Sequence, residues 1–215
     1  EGGLSVVADK GDGSYEVRLT SSLNTGTATV TAYINGEAIT NTFHITLTPL
    51  SASAAHSTIS ATPTSIPANG LSSTELTIQG RDTFGQILNS GGSTFVLSST
   101  LGNISTVTDN GDGSYTAELT STTTAGTATI SGRLEGISMS NTASVNIFAG
   151  IGAASHTTIT PQSSSLIANG LSTTSIIIQA YDLYGNLSNT SGQTVLLNVS
   201  PDIATLSNVT DHGDG

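Results

Sequence analysis

The sequence predicts an all-β protein: tandem immunoglobulin-like antiparallel β-sandwiches, one complete and two partial. Three observations carry that expectation. Apolar residues alternate with polar ones in short runs, the pattern of a sheet with one packed face and one wet face. No stretch shows helical periodicity, and turn signals rich in Gly and Asn recur about every 8–15 residues. The chain also repeats with a period of about 100 residues, the size of a small domain and too long for a solenoid unit.

The repeat is visible at several points. Asp9-Lys10-Gly11-Asp12-Gly13-Ser14-Tyr15 returns as Asp109-Asn110-Gly111-Asp112-Gly113-Ser114-Tyr115, and its start returns at Asp211-His212-Gly213-Asp214-Gly215. Ala68-Asn69-Gly70-Leu71-Ser72 returns as Ala168-Asn169-Gly170-Leu171-Ser172. The alignment places the C-terminal half of a module at residues 1–50, a complete module at 53–150 and the N-terminal part of a third at 153–215. The third copy carries two extra residues near Pro201-Asp202, and length variation at one point marks a loop. The chain begins without Met, so it reads as a piece of a longer array, in which a signal peptide or membrane anchor of the parent protein is not observable.

Within the middle module the strands follow in order. Leu76 and Ile78 define one that ends at Arg81-Asp82; Phe95 and Leu97 define the next, and Ile104 and Val107 a short one. Tyr115, Ala117 and Leu119 point one way and Thr116, Glu118 and Thr120 the other. Ala128 and Ile130 alternate with Thr127, Thr129 and Ser131, and Ala143, Val145 and Ile147 with Thr142, Ser144 and Asn146. A one-residue slip would expose each apolar set, so register is well specified. About seven such strands make a two-sheet sandwich. Turns fall at Ala68-Asn69-Gly70, Phe84-Gly85, Ser90-Gly91-Gly92, Asn110–Gly113 and Glu135-Gly136. About eight residues join one module to the next. The expectation is limited bending there, with roughly 35–45 Å added per module.

Composition narrows the function. Four Lys+Arg against 15 Asp+Glu give a formal net charge of −11, which disfavours nucleic acid and anionic membranes. No apolar run approaches the roughly 18 residues of a membrane span. Cysteine is absent, as suits a cytosolic protein or a surface protein exported unfolded; the Ser/Thr/Asn/Gly-rich surface favours the second. Asn-x-Ser/Thr matches at Asn103, Asn186, Asn189, Asn198 and Asn208 are expected by chance in so Ser/Thr-rich a chain.

No catalytic residues are expected: no His, Ser and Asp recur as a set, and no metal-ligand spacing appears. Asp109 and Asp112 are the calcium candidates. Calcium wants six to eight oxygens, yet position 3 of this turn is Gly111 and Glu118 does not supply the closing acid of an EF-hand loop. The reading preferred is a Gly-rich hairpin whose Asp side chains cap amides. No cofactor is expected otherwise. His56 and His156 recur at the joints, one module apart, and read as hydrogen-bonding residues. Asp82 and Asp182 read as turn stabilisers.

Taken together, Ile66–Ile78, Arg81-Asp82-Thr83-Phe84-Gly85 and Leu119–Ile130 resemble the bacterial Ig-like modules of the invasin/intimin family of surface adhesins. The Asn110–Tyr115 turn also looks like a filamin hairpin, but the Ala-Gly-Thr-Ala-Thr strand and the Ala-Asn-Gly-Leu-Ser turn favour the bacterial family. The resemblance implies a non-catalytic stalk on the bacterial surface, anchored through an outer-membrane barrel outside this segment and projecting a distal binding domain. Its partners would be neighbouring modules and, through parts outside this segment, a host-cell or neighbouring-cell receptor. The alternatives are repeats that bind a host protein or glycan themselves, for which Tyr33, Tyr181 and Tyr184 are the non-repeated aromatics, or an accessory module of a secreted enzyme.

Half-modules should leave apolar faces and strand edges uncovered. The 215-residue chain is therefore expected to self-associate, while residues 53–150 alone stay monomeric. Size-exclusion chromatography with light scattering reads this directly, and a monodisperse monomer for the whole chain would sink the idea.

Overall fold

The computed structural model describes residues 2–213. The last two residues of the third Asp-x-Gly-Asp-Gly turn, Asp214 and Gly215, lie outside the described residues. Every regular element among the described residues is a strand. Residues 1–50 carry β1 (Gly3–Leu4), β2 (Ala8–Asp9), β3 (Tyr15–Glu16), β4 (Leu19–Thr20), β5 (Gly26–Val30), β6 (Tyr33–Ile34), β7 (Glu37–Ala38) and β8 (Phe43–Leu47). The middle module carries β9 (Thr58–Thr62), β10 (Ser65–Pro67), β11 (Ser73–Gln79), β12 (Phe95–Ser99), β13 (Asn103–Ile104), β14 (Thr108–Asp109), β15 (Ser114–Thr120), β16 (Gly126–Leu134), β17 (Ile137–Ser138) and β18 (Ala143–Phe148). β19 (Thr158–Pro161) and β20 (Ile176–Gln179) follow.

The ten middle strands form two sheets. One runs β13-β15-β11-β9 with β14 on β15; the other runs β10-β18-β16-β12 with β17 on β16. Alternation sets what each sheet offers the other. β11 and β15 pair so that Leu76 faces Ala117 and Ile78 faces Tyr115. Leu76, Ile78 and Leu119 are buried against Ala128, Ile130, Val145 and Ile147 of the opposite sheet. Tyr115 tucks its ring beside Phe95, with centroids 4.6 Å apart. Its hydroxyl accepts the Ser93 N–H at 3.1 Å, so the buried polar tip is satisfied.

The antiparallel expectation holds with one departure. β10 pairs with β18 in parallel, Ser65 opposite Asn146 and Pro67 opposite Phe148. A three-residue strand containing proline leaves no alternating pattern to read, and proline is tolerated there because β10 lies at the sheet edge. The sandwich also divides into ten strands rather than about seven, because short β13, β14 and β17 break off around bends.

The flanking copies keep the local pairing. β5 and β8 set Ala28 against Ile45, as β16 and β18 set Ala128 against Val145. β19 and β20 set Ile159 against Ile178, as β9 and β11 set Ile59 against Ile78. Burial does not follow, since each copy holds one part of the sandwich. Tyr115 is 1% exposed and its copy Tyr15 is 61% exposed. Register is thus a property of neighbouring strands, and burial of the facing sheet.

One packing pair differs between copies in a compensating way. A Cβ on Gly80 would sit 2.8 Å from Leu88 Cδ1 and 2.9 Å from the Gly113 carbonyl oxygen, too close for an unmoved core. The third copy has Ala180 where the middle one has Gly80, and there Ser188 replaces Leu88. A larger residue on one side is matched by a smaller one on the other. Gly80→Ala alone should cost about 1–3 kcal/mol by overpacking. Adding Leu88→Ser should give a double mutant off additivity by about 0.5–3 kcal/mol in the stabilising direction. Urea unfolding of the four chains measures the coupling, and simple additivity would refute it.

Candidate functional site: the joint between modules

Each joint is built around the carboxylate at the end of β11 or β20. Arg81 and Tyr181 make isolated bridges to Ile87 and Leu187, closing a tight turn whose second residue is Asp82 or Asp182. Both Asp residues are almost fully buried, at 1% and 2% exposed. Asp82 Oδ1 accepts the Phe84 and Gln86 N–H groups, each at 2.9 Å. Asp182 Oδ1 accepts those of Tyr184 and Asn186 at the same distances. So far this is the turn-stabilising role expected from sequence.

The second oxygen reaches across the joint. Asp182 Oδ2 accepts the Gly150 N–H at 3.0 Å, from the segment leaving the preceding module. Asp82 Oδ2 accepts the Leu50 N–H at 3.4 Å in the equivalent place. The linker then pairs with the end of the same strand: Ser53 N–H donates to Arg81 O and Ala153 N–H to Tyr181 O, both at 2.7 Å.

The side chain four residues after the Asp completes the clasp. Asn186 Nδ2 donates to Thr123 O at 2.8 Å and to Asp182 Oδ2 at 2.9 Å. Its Oδ1 accepts the Ala125 N–H at 2.8 Å. One amide therefore binds the 121–126 loop of the preceding module and the central carboxylate together. Gln86 does less: its Oε1 accepts the Thr25 N–H at 3.1 Å. Tyr184 adds a longer contact, its hydroxyl donating to Asn69 O at 3.4 Å.

Burial by itself would push these carboxyls up. For Asp82 the amide N–H groups of Gln86, Phe84 and Leu50, helped by nearby His56, outweigh it and hold the group below the usual carboxylate range. For Asp182 burial is outweighed by the Asn186 side chain and the amides of Gly150, Asn186 and Tyr184.

The remaining sequence candidates lie elsewhere. Asp109 and Asp112 sit on the exposed β14–β15 turn. Asp109 accepts the Gly111 N–H at 2.8 Å and the Gly92 N–H at 2.6 Å. Asp112 accepts the Ser114 N–H at 2.9 Å and hydroxyl at 2.6 Å, which lower its pKa. A Cβ on Gly91 would fall 2.1 Å from Asp109 Oδ1, so Gly is needed for that approach. Among the described residues no three His, Cys, Asp or Glu side chains gather as a metal site. His56 and His156 are exposed at the joints, their Nδ1 atoms 3.1 and 2.9 Å from Ser53 and Ser155 hydroxyls. Of the three tyrosines, Tyr184 and Tyr181 belong to the second joint, while Tyr33 is 69% exposed on β6. Sequence reasoning missed the part Asn186 and the 121–126 loop play. The signal available was the recurrence of an amide side chain four residues after each Asp, Gln86 and Asn186.

One complete sandwich with a partial copy on either side, joined by a repeated clasp, defines a tandem Ig-like module array. The chain belongs to the family Invasin, domain 3, matched over residues 1–50 and 53–150. It is similar to the crystal structure of invasin, a bacterial integrin-binding protein, at 28% identity and a TM-score of 0.56, covering 81% of this chain and 35% of that one. InvD of Yersinia pseudotuberculosis matches at 25% identity and a TM-score of 0.59, over 86% of this chain and 58% of that one. The Escherichia coli adhesin FdeC shares the fold, at 24% identity and a TM-score of 0.59 over 86% and 59%. This chain thus spans between about a third and three fifths of the lengths of these relatives.

Because both clasp carboxyls titrate below their unfolded value of about 3.9, their contribution is complete above that pH. It is lost as pH falls through the lower, folded value. Amide exchange at Gly150 should therefore stay slow from pH 7 down to about 4 after correction for intrinsic rates, and quicken only below. Asp182→Ala should remove that protection at neutral pH while leaving the β11 and β15 amides protected; unchanged Gly150 exchange would refute the clasp.

Proposed function

We propose that this chain is a non-catalytic stalk segment of a bacterial cell-surface adhesin, acting outside the cell to hold a distal binding domain away from the surface. The observation that carries this reading is the recurrence of the clasp. Asp82 and Asp182 take a linker amide in the same way, and Gln86 and Asn186 both reach the preceding module's loop. A connection meant only as a tether needs no buried carboxylate, whereas one that must keep direction does. The chain's neighbours are then its own modules, and any receptor is met by parts beyond this segment. The low aromatic content, 4%, offers little stacking surface for sugars and supports the same reading.

Small-angle scattering on three complete modules, with calcium and then with chelator, tests it. The expected result is a straight rod in both conditions, extended by roughly 35–45 Å per module. A flexible chain in both would refute the stalk. A rod only with calcium would keep the stalk and give Asp109 and Asp112 the role of ligands.

A further inference from the structure

We propose that the parallel β10–β18 pair is a shear clamp that makes the middle module resist tension along the chain, a mechanical role that rests on the stalk reading. Tension on a tandem chain enters each module at its first strands and leaves through its last. Here the exit strand is β18, which runs directly into Ala149 and the clasped Gly150. The last N-terminal strand before the chain turns into the sandwich at β11 is β10, and β10 lies parallel to the exit end of β18.

The geometry decides how the bonds are loaded. In parallel neighbours, pulling one strand backward from its start and the other forward from its end slides them past each other. All bonds between them then share the load and must fail together. An antiparallel pair opened from one end breaks its bonds one at a time. Between these strands the Asn146 N–H donates to Thr64 O and the Ala68 N–H to Phe148 O, both at 2.8 Å. Asn146 Nδ2 adds a bond to Ser65 Oγ at 3.4 Å. Ile66 and Ile147, opposite each other in register, are both buried beneath this patch, so their side chains keep water from the inner side of the sliding bonds. Forced unfolding follows the barrier to unfolding rather than equilibrium stability, and simultaneous failure raises that barrier.

The chain has no cysteine, so paired thiols choose the pulling axis in the full-length protein. Ser51→Cys with Ile151→Cys loads the middle module in shear. Thr124→Cys with Ile151→Cys pulls from one end, where Gly126 faces Ile147, and peels β18 from β16. All three positions are exposed. At one loading rate, the shear axis should need roughly two-fold or more the peel force. Equal forces would overturn the clamp. Ala68→Pro, which removes the donor to Phe148 O, should lower the shear force while the peel force stays. An unchanged shear force would assign the resistance elsewhere. If that variant fails to fold, the comparison of axes still decides. Failure of this test is separate from failure of the stalk: a rod straight in scattering can unfold equally along both axes, and freely bending joints leave the module's own shear resistance intact.

Discussion

A buried carboxylate facing amide hydrogens organises this molecule. Asp82 and Asp182 each close a turn within one module and take a linker amide from the preceding one. The same group therefore ends a strand, sets where the linker lies and fixes where the preceding module's loop can dock. Backbone amides suit the task better than a salt bridge would. They are positioned by the fold, carry no counter-charge to desolvate and cannot be drawn into solvent like a long lysine side chain.

That choice fits the composition. With so few cations, the chain makes its structural contacts through Ser, Thr, Asn and backbone groups. The ion pairs seen among the described residues, Lys10 and Arg18 with Glu16, are surface contacts. Exposed pairs of this kind contribute little. Stability comes from the interlocked apolar faces of the two sheets, while hydrogen bonds at the joints hold the linkers. The two jobs fall to different residues, so module surfaces can vary in sequence without disturbing either. Glu75 and Glu118, directly opposite each other on the wet face of β11 and β15, show how freely that face varies: their copies are Ser175 and Arg18.

Much of the sandwich was legible because its information is local. Leu76, Ile78, Tyr115, Ala117 and Leu119 announce their face by alternation, and the period of the repeat supplies each assignment twice. What escaped is what depends on residues far apart. β10 shows no alternation within three residues, and its partner lies some eighty positions along the chain. The turn role of Asp82 and Asp182 could be read, since its donors are two and four residues away. The joint role could not, since the Gly150 donor is 32 residues from its acceptor. Asn186 was hidden for a further reason. Its side chain contacts residues 61 and 63 positions earlier, in a loop whose Thr-rich sequence reads only as a turn.

The two joints are alike in plan and unequal in grip. Asn186 is short enough to hold its own carboxylate, a carbonyl and an amide at once, whereas the extra methylene of Gln86 leaves one bond to the preceding loop. Compliance in such an array is then not uniform. With fewer bonds to break, the Gln joint is the first place such an array would bend.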